Sequence, residues 1–406
     1  MLAHDFPHSQ AARVRPLWTL DPEITFLNHG SFGACPRVVL DAQARLRERM
    51  EREPVRFFIR ELEAMLDEAR GALAAFVGAG SDDLAFVPNA TAGVNTVLRS
   101  LELGAGDELL TTDHEYNACR NALEFTASRA GARVVVAKLP FPLSSPDEVT
   151  EALLAHTSPR TRLALVDHVT SQTGLVFPVA NIVSELGRRG IDVLVDGAHA
   201  PGMLALDIGA TGATYYTGNC HKWLCAPKGA AFLYVRPDKQ AKIRPLSISH
   251  GANSPRTDRS RFRIEVDWTG TCDPTAYLAI PEAIRFISSL LPGGFAALVE
   301  HNRKTALAAR ALLCEALGAP LPAPESMIGA LATIPLPEGD VRQASPFHLD
   351  PLQDALFERG IEVPVIPWPA PPKRHVRVSA QIYNDRADYE RLAAALRALL
   401  HPSRGH

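Results

Sequence analysis

The chain has 406 residues, 42 basic and 45 acidic side chains, a formal net charge of −3 and 46% hydrophobic residues. That balance gives no electrostatic reason to expect nucleic acid or an anionic membrane as a partner, and the length allows a large core in two domains. No apolar run approaches the roughly 20 residues of a membrane span. The start lacks a cationic region followed by an apolar one, and the six cysteines are dispersed without C-x-x-C pairs. These features predict a cytoplasmic protein with reduced thiols and no metal site.

Residues 1–20, polar and without period, read as an N-terminal arm. Phe26-Leu-Asn-His-Gly-Ser-Phe-Gly-Ala-Cys-Pro36 follows, with glycines that allow tight turns or close approach to a ligand. Residues 37–52 and 55–78 carry helical spacing. Strand Leu84–Val87 turns through Pro88–Asn95 into a helix. That turn is either a phosphate cradle, with Thr91 adding a hydroxyl, or a plain N-cap at Asn89 or Thr91. Strand 108–112 ends in Asp113-His-Glu-Tyr-Asn117, where His114 or Tyr116 can lie on an aromatic cofactor, or Asp113 can simply cap the next helix. Strand 133–137, helix 146–156, strand 162–169 and a helix near 180–189 continue a βα repeat, which predicts a mostly parallel sheet covered on both faces.

Val193-Leu-Val195 reads as a buried parallel strand ending in Asp196, at the carboxyl edge where open α/β sheets bind ligands. Lys222 lies 222 − 196 = 26 residues on, in Tyr215-Tyr-Thr-Gly-Asn-Cys-His-Lys-Trp223. Burial among aromatic and small residues favours a neutral, nucleophilic amine. An aspartate that keeps a pyridine nitrogen protonated and a lysine that forms a Schiff base suit pyridoxal phosphate. Beyond strand 230–235, residues 236–261 read as loop, and a long helix opens at Pro281. A break at 291–294 leads to a helix ending near 317. Strands near 329–335, 362–366 and 374–380 with helices at 349–359 and 385–400 make a smaller α+β domain. Pro364–Pro372 reads as a stiff connector without donors for a central strand. The expected units are an arm (1–20), a large domain (21–280) whose first part can pack on the small one, and a small domain (281–406).

With Leu27-Asn-His-Gly-Ser-Phe-Gly33, Asn-Ala-Thr at 89–91, His-Glu-Tyr at 114–116, Asp-Gly-Ala-His at 196–199, His-Lys at 221–222, Trp-Thr-Gly-Thr at 268–271 and Arg377-Val-Ser-Ala380, the chain resembles the class V aminotransferase family, in particular its isopenicillin N epimerase-like branch. The resemblance runs over about residues 24 to 400. It implies an aspartate-aminotransferase-like fold (fold type I of the pyridoxal phosphate enzymes) and a homodimer whose active sites lie at the subunit interface. It implies that Lys222 holds the cofactor and shuttles the α-proton, that Asp196 pairs with the ring nitrogen, and that His199 supports the ring, with Ser171. Tyr116 stacks, and Thr91, the Ala92 N–H, Thr217 and His221 hold the phosphate, with Thr271 reaching that of the other subunit. Arg377 clamps the substrate carboxylate, and Asn28 and His29 line the substrate side. The activity implied is epimerisation or racemisation at Cα of an amino acid. The alternatives are a C–S lyase on a cysteine conjugate or sulfoxide, a cysteine desulfurase-like enzyme and, from another class, a non-catalytic scaffold.

Overall fold

Seven short apolar segments that begin at Leu84 assemble into one sheet in the computed structural model, which describes residues 4–339 and 350–400. After a two-residue strand β1 (Thr25–Phe26) they are, in chain order, β2 (Leu84–Val87), β3 (Glu108–Thr112), β4 (Arg133–Ala137), β5 (Thr161–Asp167), β6 (Asp192–Asp196), β7 (Tyr215–Asn219) and β8 (Ala231–Val235). Their spatial order is β2-β8-β7-β6-β5-β3-β4. Only β8 runs against its neighbours; the other pairings are parallel. Strands with apolar residues on both faces need cover on both. Helices Ala90–Ser100 and Asn117–Ala130 cover Leu165 and Leu194 on one side. Helices Leu62–Val77 and Val179–Gly187 cover Val166 and Val195 on the other. The expected doubly covered sheet is therefore present, and its parallel strands deliver their carboxyl ends to one edge.

A second core lies under β9 (Leu331–Leu336), β10 (Ile361–Glu362), β11 (Val365–Pro367) and β12 (Arg374–Ser379). Three of these form an antiparallel sheet in the order β11-β12-β9. The expected strand at 362–366 is thus two pieces, and the proline-rich connector supplies an edge strand, where missing donors cost nothing. The expected boundary at 280/281 falls in the first turn of a helix, Ile280–Ser289, that the first core claims through Ile280, Ala283 and Phe286. Helix Gly294–Leu317 bridges the two cores, with Leu298 in the first and Leu313 in the second. The helix expected at 349–359 starts at Pro351 on an Asp350 N-cap; residue 349 lies outside the described residues.

The N-terminal segment is packed rather than a free arm. Val14 and Trp18 are buried in the first core, Arg15 forms an ion pair with Asp388, and Phe6 stacks on Tyr389. Just beyond it, β1 pairs in parallel with β10, so the residues after β1 are carried to the seam between the two sheets. Among the described residues no single helix is long and apolar enough to cross a membrane.

Candidate active site

The carboxyl edge of the large sheet and the inner wall of the small domain enclose a cavity of about 1080 Å³. Lys222, three residues past β7, lies on it, as do Asp196, Asp167, Ser171, Tyr116, Thr91, His199, His221, Asn28 and Arg377. The turn that carries Lys222 is tightly packed. A Cβ on Gly33 would sit 2.4 Å from the Lys222 carbonyl oxygen, so only glycine lets the N-terminal loop press on that backbone. Just beyond, Cys225 holds φ 62, a left-handed conformation uncommon for a non-glycine residue.

The Lys222 Nζ lies 3.0 Å from His199 Nε2. The Trp223 indole N–H, which can only donate, points at His199 Nδ1 at 3.4 Å. Burial holds His199 neutral, its pKa pushed far below the usual value by desolvation and then by Lys222 and Arg377. A neutral imidazole that accepts at Nδ1 carries its proton on Nε2, an N–H that Lys222 accepts in its free-amine form, whose share grows as pH rises through about 8. Burial, then the Arg377 cation, pushes the Lys222 pKa down to about 8, against the raising effect of Asp196 and Asp167. Both groups describe the same arrangement: an amine prepared to attack a carbonyl carbon.

Asp196 is 2% exposed. It accepts from the Ala198 N–H at 2.9 Å and from the Cys119 thiol at 3.2 Å. Arg377, buried on β12, donates to the Ser171 carbonyl and to Ser31 Oγ, the latter at 2.9 Å, while its Nε has no partner among the described residues. Desolvation pushes its pKa down to about 10, and the Tyr116 phenol works against this. A buried guanidinium with an idle donor on a cavity wall fits an incoming carboxylate. Tyr116 is 44% exposed and its hydroxyl has no hydrogen-bond partner among the described residues. His114, the other stacking candidate, is turned away: it bonds Thr173 Oγ1 at 2.8 Å and packs edge-on against Trp368.

Four expected site residues are placed elsewhere. Thr217 donates its hydroxyl to the Phe232 carbonyl at 2.8 Å and lies under Gly93, whose Cβ would meet it at 2.2 Å; it is interior and does not reach a phosphate. Asn219, two residues on, lies on the cavity wall instead and accepts from the Ala90 N–H. The Ala92 N–H is already given to the Asn89 cap at 2.8 Å, which leaves the anion role to the open Thr91 end of helix Ala90–Ser100. His29 is fully buried. It holds the Lys222 carbonyl at 3.1 Å and the Tyr383 hydroxyl at 2.7 Å, so it positions the lysine and does not line the substrate side. Thr271 is exposed and away from this chain's cavity. Sequence reading missed Asn219, Asp167, Ser31 and Glu362, all on the wall. The strand period was the available signal for Asn219, since residues 217 and 219 share a face of β7 and only the later one clears the sheet.

These residues fit pyridoxal phosphate by chemistry: a free buried amine, a buried carboxylate for a ring N–H, an open helix N-terminus with Thr91 and His221 for a phosphate, and an aromatic side chain for a ring face. His221 gives its Nδ1 proton to the Ala230 carbonyl at 2.9 Å, so it reaches a phosphate as a donor only when doubly protonated. Fold and site together define a pyridoxal phosphate enzyme of fold type I. A model of the family described as aminotransferase class-V matches residues 33–392, and the chain belongs to that family. It is 39% identical to an isopenicillin N epimerase of Amycolatopsis lactamdurans, over 96% of this chain and 98% of that one. It is 37% identical to the isopenicillin N epimerase of Streptomyces clavuligerus, with the same coverage. A probable chloroplastic L-cysteine desulfhydrase of Arabidopsis thaliana is 30% identical over 94% of this chain and 84% of that one. Among solved structures, the cystine C–S lyase C-DES with cysteine persulfide superposes with a TM-score of 0.76 at 23% identity, covering 95% of this chain and 99% of that one. The cysteine desulfurase CsdA of Escherichia coli superposes at 0.77 and 18%, covering 97% and 99%.

Proposed function

We propose that the enzyme epimerises an amino-acid substrate of the isopenicillin N type at Cα, in a homodimer with shared active sites. One observation carries the reading. Lys222 follows β7 and Tyr116 follows β3, so two proton-carrying side chains flank the β6 end that holds Asp196. Inversion needs a proton removed from one face of Cα and another delivered to the opposite face. The cofactor supplies the electron sink that stabilises the resulting carbanion. Lys222 takes the α-proton as a free amine; the Tyr116 hydroxyl, unbonded in the cavity, returns one. Arg377 holds the substrate carboxylate, and Asp196 keeps the ring nitrogen protonated. The isopenicillin N epimerases to which the chain is similar support the substrate class.

A desulfurase-like role lacks its nucleophile: no cysteine lines the cavity, five are buried, and the exposed Cys272 lies elsewhere. The similarity to L-cysteine desulfhydrases favours C–S lysis as the second reading, since that reaction needs no thiol from the protein. The free thiols support work in a reducing compartment such as the cytoplasm. The dimer reading rests on exposed Thr271, which cannot serve the site of its own chain. The deciding experiment incubates the loaded enzyme with isopenicillin N in D2O and, separately, with L-cysteine. Epimerisation with deuterium at the inverted carbon is expected. Pyruvate and sulfide from L-cysteine, with isopenicillin N unchanged, overturn the epimerase reading in favour of the lyase.

A further inference from the structure

Three buried carboxyl groups meet beneath the cavity: Glu115, Asp167 and Asp196, with the Cys119 thiol among them. Ligating atoms of Glu115, Cys119 and Asp196 lie within 4.8 Å of one another. Glu115 is satisfied where it stands, with the Thr111 hydroxyl and the Tyr116 N–H at 3.1 Å on its two oxygens. Asp196 has Ala198 and Cys119. Asp167 differs. It ends β5 in register with Asp196 on β6, it is 2% exposed, it lies on the cavity wall, and its Oδ2 has no partner among the described residues. A buried carboxyl oxygen without a donor destabilises the protein that carries it, and a second carboxyl beside Asp196 adds repulsion. Nothing in the surrounding core, formed by Leu165 and Leu194 on the same face, requires an acid at that position. Its free oxygen lies on the cavity side, open to whatever occupies the cavity.

We propose that Asp167 is a second carboxylate for the cofactor, sharing with Asp196 the positive charge of the protonated ring and of the nitrogen on Lys222. The proposal holds for either reaction, because it concerns the bound cofactor before any substrate arrives. The groups facing Lys222 are Asp196, Asp167 and Cys119 on the acidic side and Arg377, His199 and His221 on the basic side. Burial, then Glu115 and Asp196, push the Asp167 pKa well up in the cofactor-free protein, so its charge develops against the cations of the bound cofactor, where the two aspartates together offset Arg377. Removing one destabilises the protonated form of the nitrogen on Lys222, so its titration moves to lower pH.

The test compares wild type with Asp167→Asn and Asp167→Glu, using pyridoxal phosphate itself as the probe. Three quantities are read: cofactor dissociation constant, the pH midpoint of the bound cofactor's visible absorbance band, and the thermal midpoint of the cofactor-free protein. For Asp167→Asn, loss of a charge-assisted contact predicts affinity lower by roughly tenfold or more. It also predicts a midpoint shifted to lower pH and a cofactor-free protein at least as stable as wild type. Asp167→Glu restores part of the affinity and of the midpoint. Wild-type affinity and midpoint in Asp167→Asn overturn the proposal. So does a fall in affinity that tracks a fall in stability with the midpoint unmoved, which is the signature of a purely structural residue.

Discussion

Lys222 is a base whose charge the protein disfavours, and two consequences follow. Free amine accumulates as pH rises through about 8, so capture of pyridoxal phosphate by the cofactor-free enzyme is expected to accelerate with pH and level off above that value in stopped-flow absorbance. The folded pKa lies below the usual 10.5, so between those values the unfolded chain binds the extra proton and stability rises with pH. Below both values the lysine is charged in both states, and the cost of burying it is fully present. Lys222→Met is therefore expected to stabilise the cofactor-free protein at pH 7 by up to roughly 3 kcal/mol, while abolishing capture; an unchanged denaturation midpoint refutes this. Arg377→Lys keeps a charge but loses the planar fork, so amino-acid binding is expected to weaken at least tenfold, with an unaltered cofactor spectrum. Much of this was legible in the sequence: the apolar run Val193-Leu-Val195 announces the strand that ends in Asp196, and Lys222 stands out by its His-Lys-Trp setting, although β7 before it, Tyr215–Asn219, carries no apolar run and was not read as a strand. Thr217 and Ala92 were misread because a hydroxyl or N–H in a motif gives no sign that a neighbouring carbonyl or cap has already taken it. Asp167 was overlooked because the strand was read through to Val169, which leaves residue 167 mid-strand, whereas β5 ends at Asp167 on the carboxyl edge.

At the scale of elements, the site is held by a loop pressed on a turn. Gly33 touches the backbone of Lys222, and His29 bonds its carbonyl. Gly33→Ala is expected to leave the fold intact by circular dichroism yet lower cofactor occupancy, since a methyl group at 2.4 Å from a backbone oxygen must displace it. Full occupancy would show that the loop yields without moving the lysine. The helix that opens at Ala90 gives a second test. Asn89→Ala removes a cap worth about 1 kcal/mol and frees the Ala92 N–H that Asn89 holds, so the thermal midpoint should fall while phosphate affinity is kept or rises; a loss of affinity would show that the cap itself shapes the phosphate end. Most helices and parallel strands were readable from their patterns; β7 and the connector were not. Pro364–Pro372 carries too few donors for an inner strand, and only the partner β12 decides that Val365–Pro367 pairs at all.

For the whole molecule, the proposed sharing of sites between two chains has a direct test. Mixing two inactive variants, Lys222→Ala and a Thr271 variant without activity, should restore part of the activity after subunit exchange. One site of each mixed dimer then carries neither defect. No recovery after demonstrated exchange rejects a shared site. The division into two units was only partly readable, because helix Gly294–Leu317 serves both cores and no change in composition marks the point where one takes over. The seam where β1 meets β10 has a further consequence, for the order of synthesis. Asn28 contacts Glu362 across 334 residues, and His29 contacts Tyr383 across 354. Until those residues are made, the loop on Lys222 lacks its two most distant anchors. The strands of the large sheet all lie before residue 236, whereas two anchors of the loop on Lys222 come from residues 362 and 383. A chain cut before Glu362 is therefore expected to keep the large sheet by circular dichroism and to bind pyridoxal phosphate more weakly, because the loop that bonds the Lys222 carbonyl has lost its far anchors.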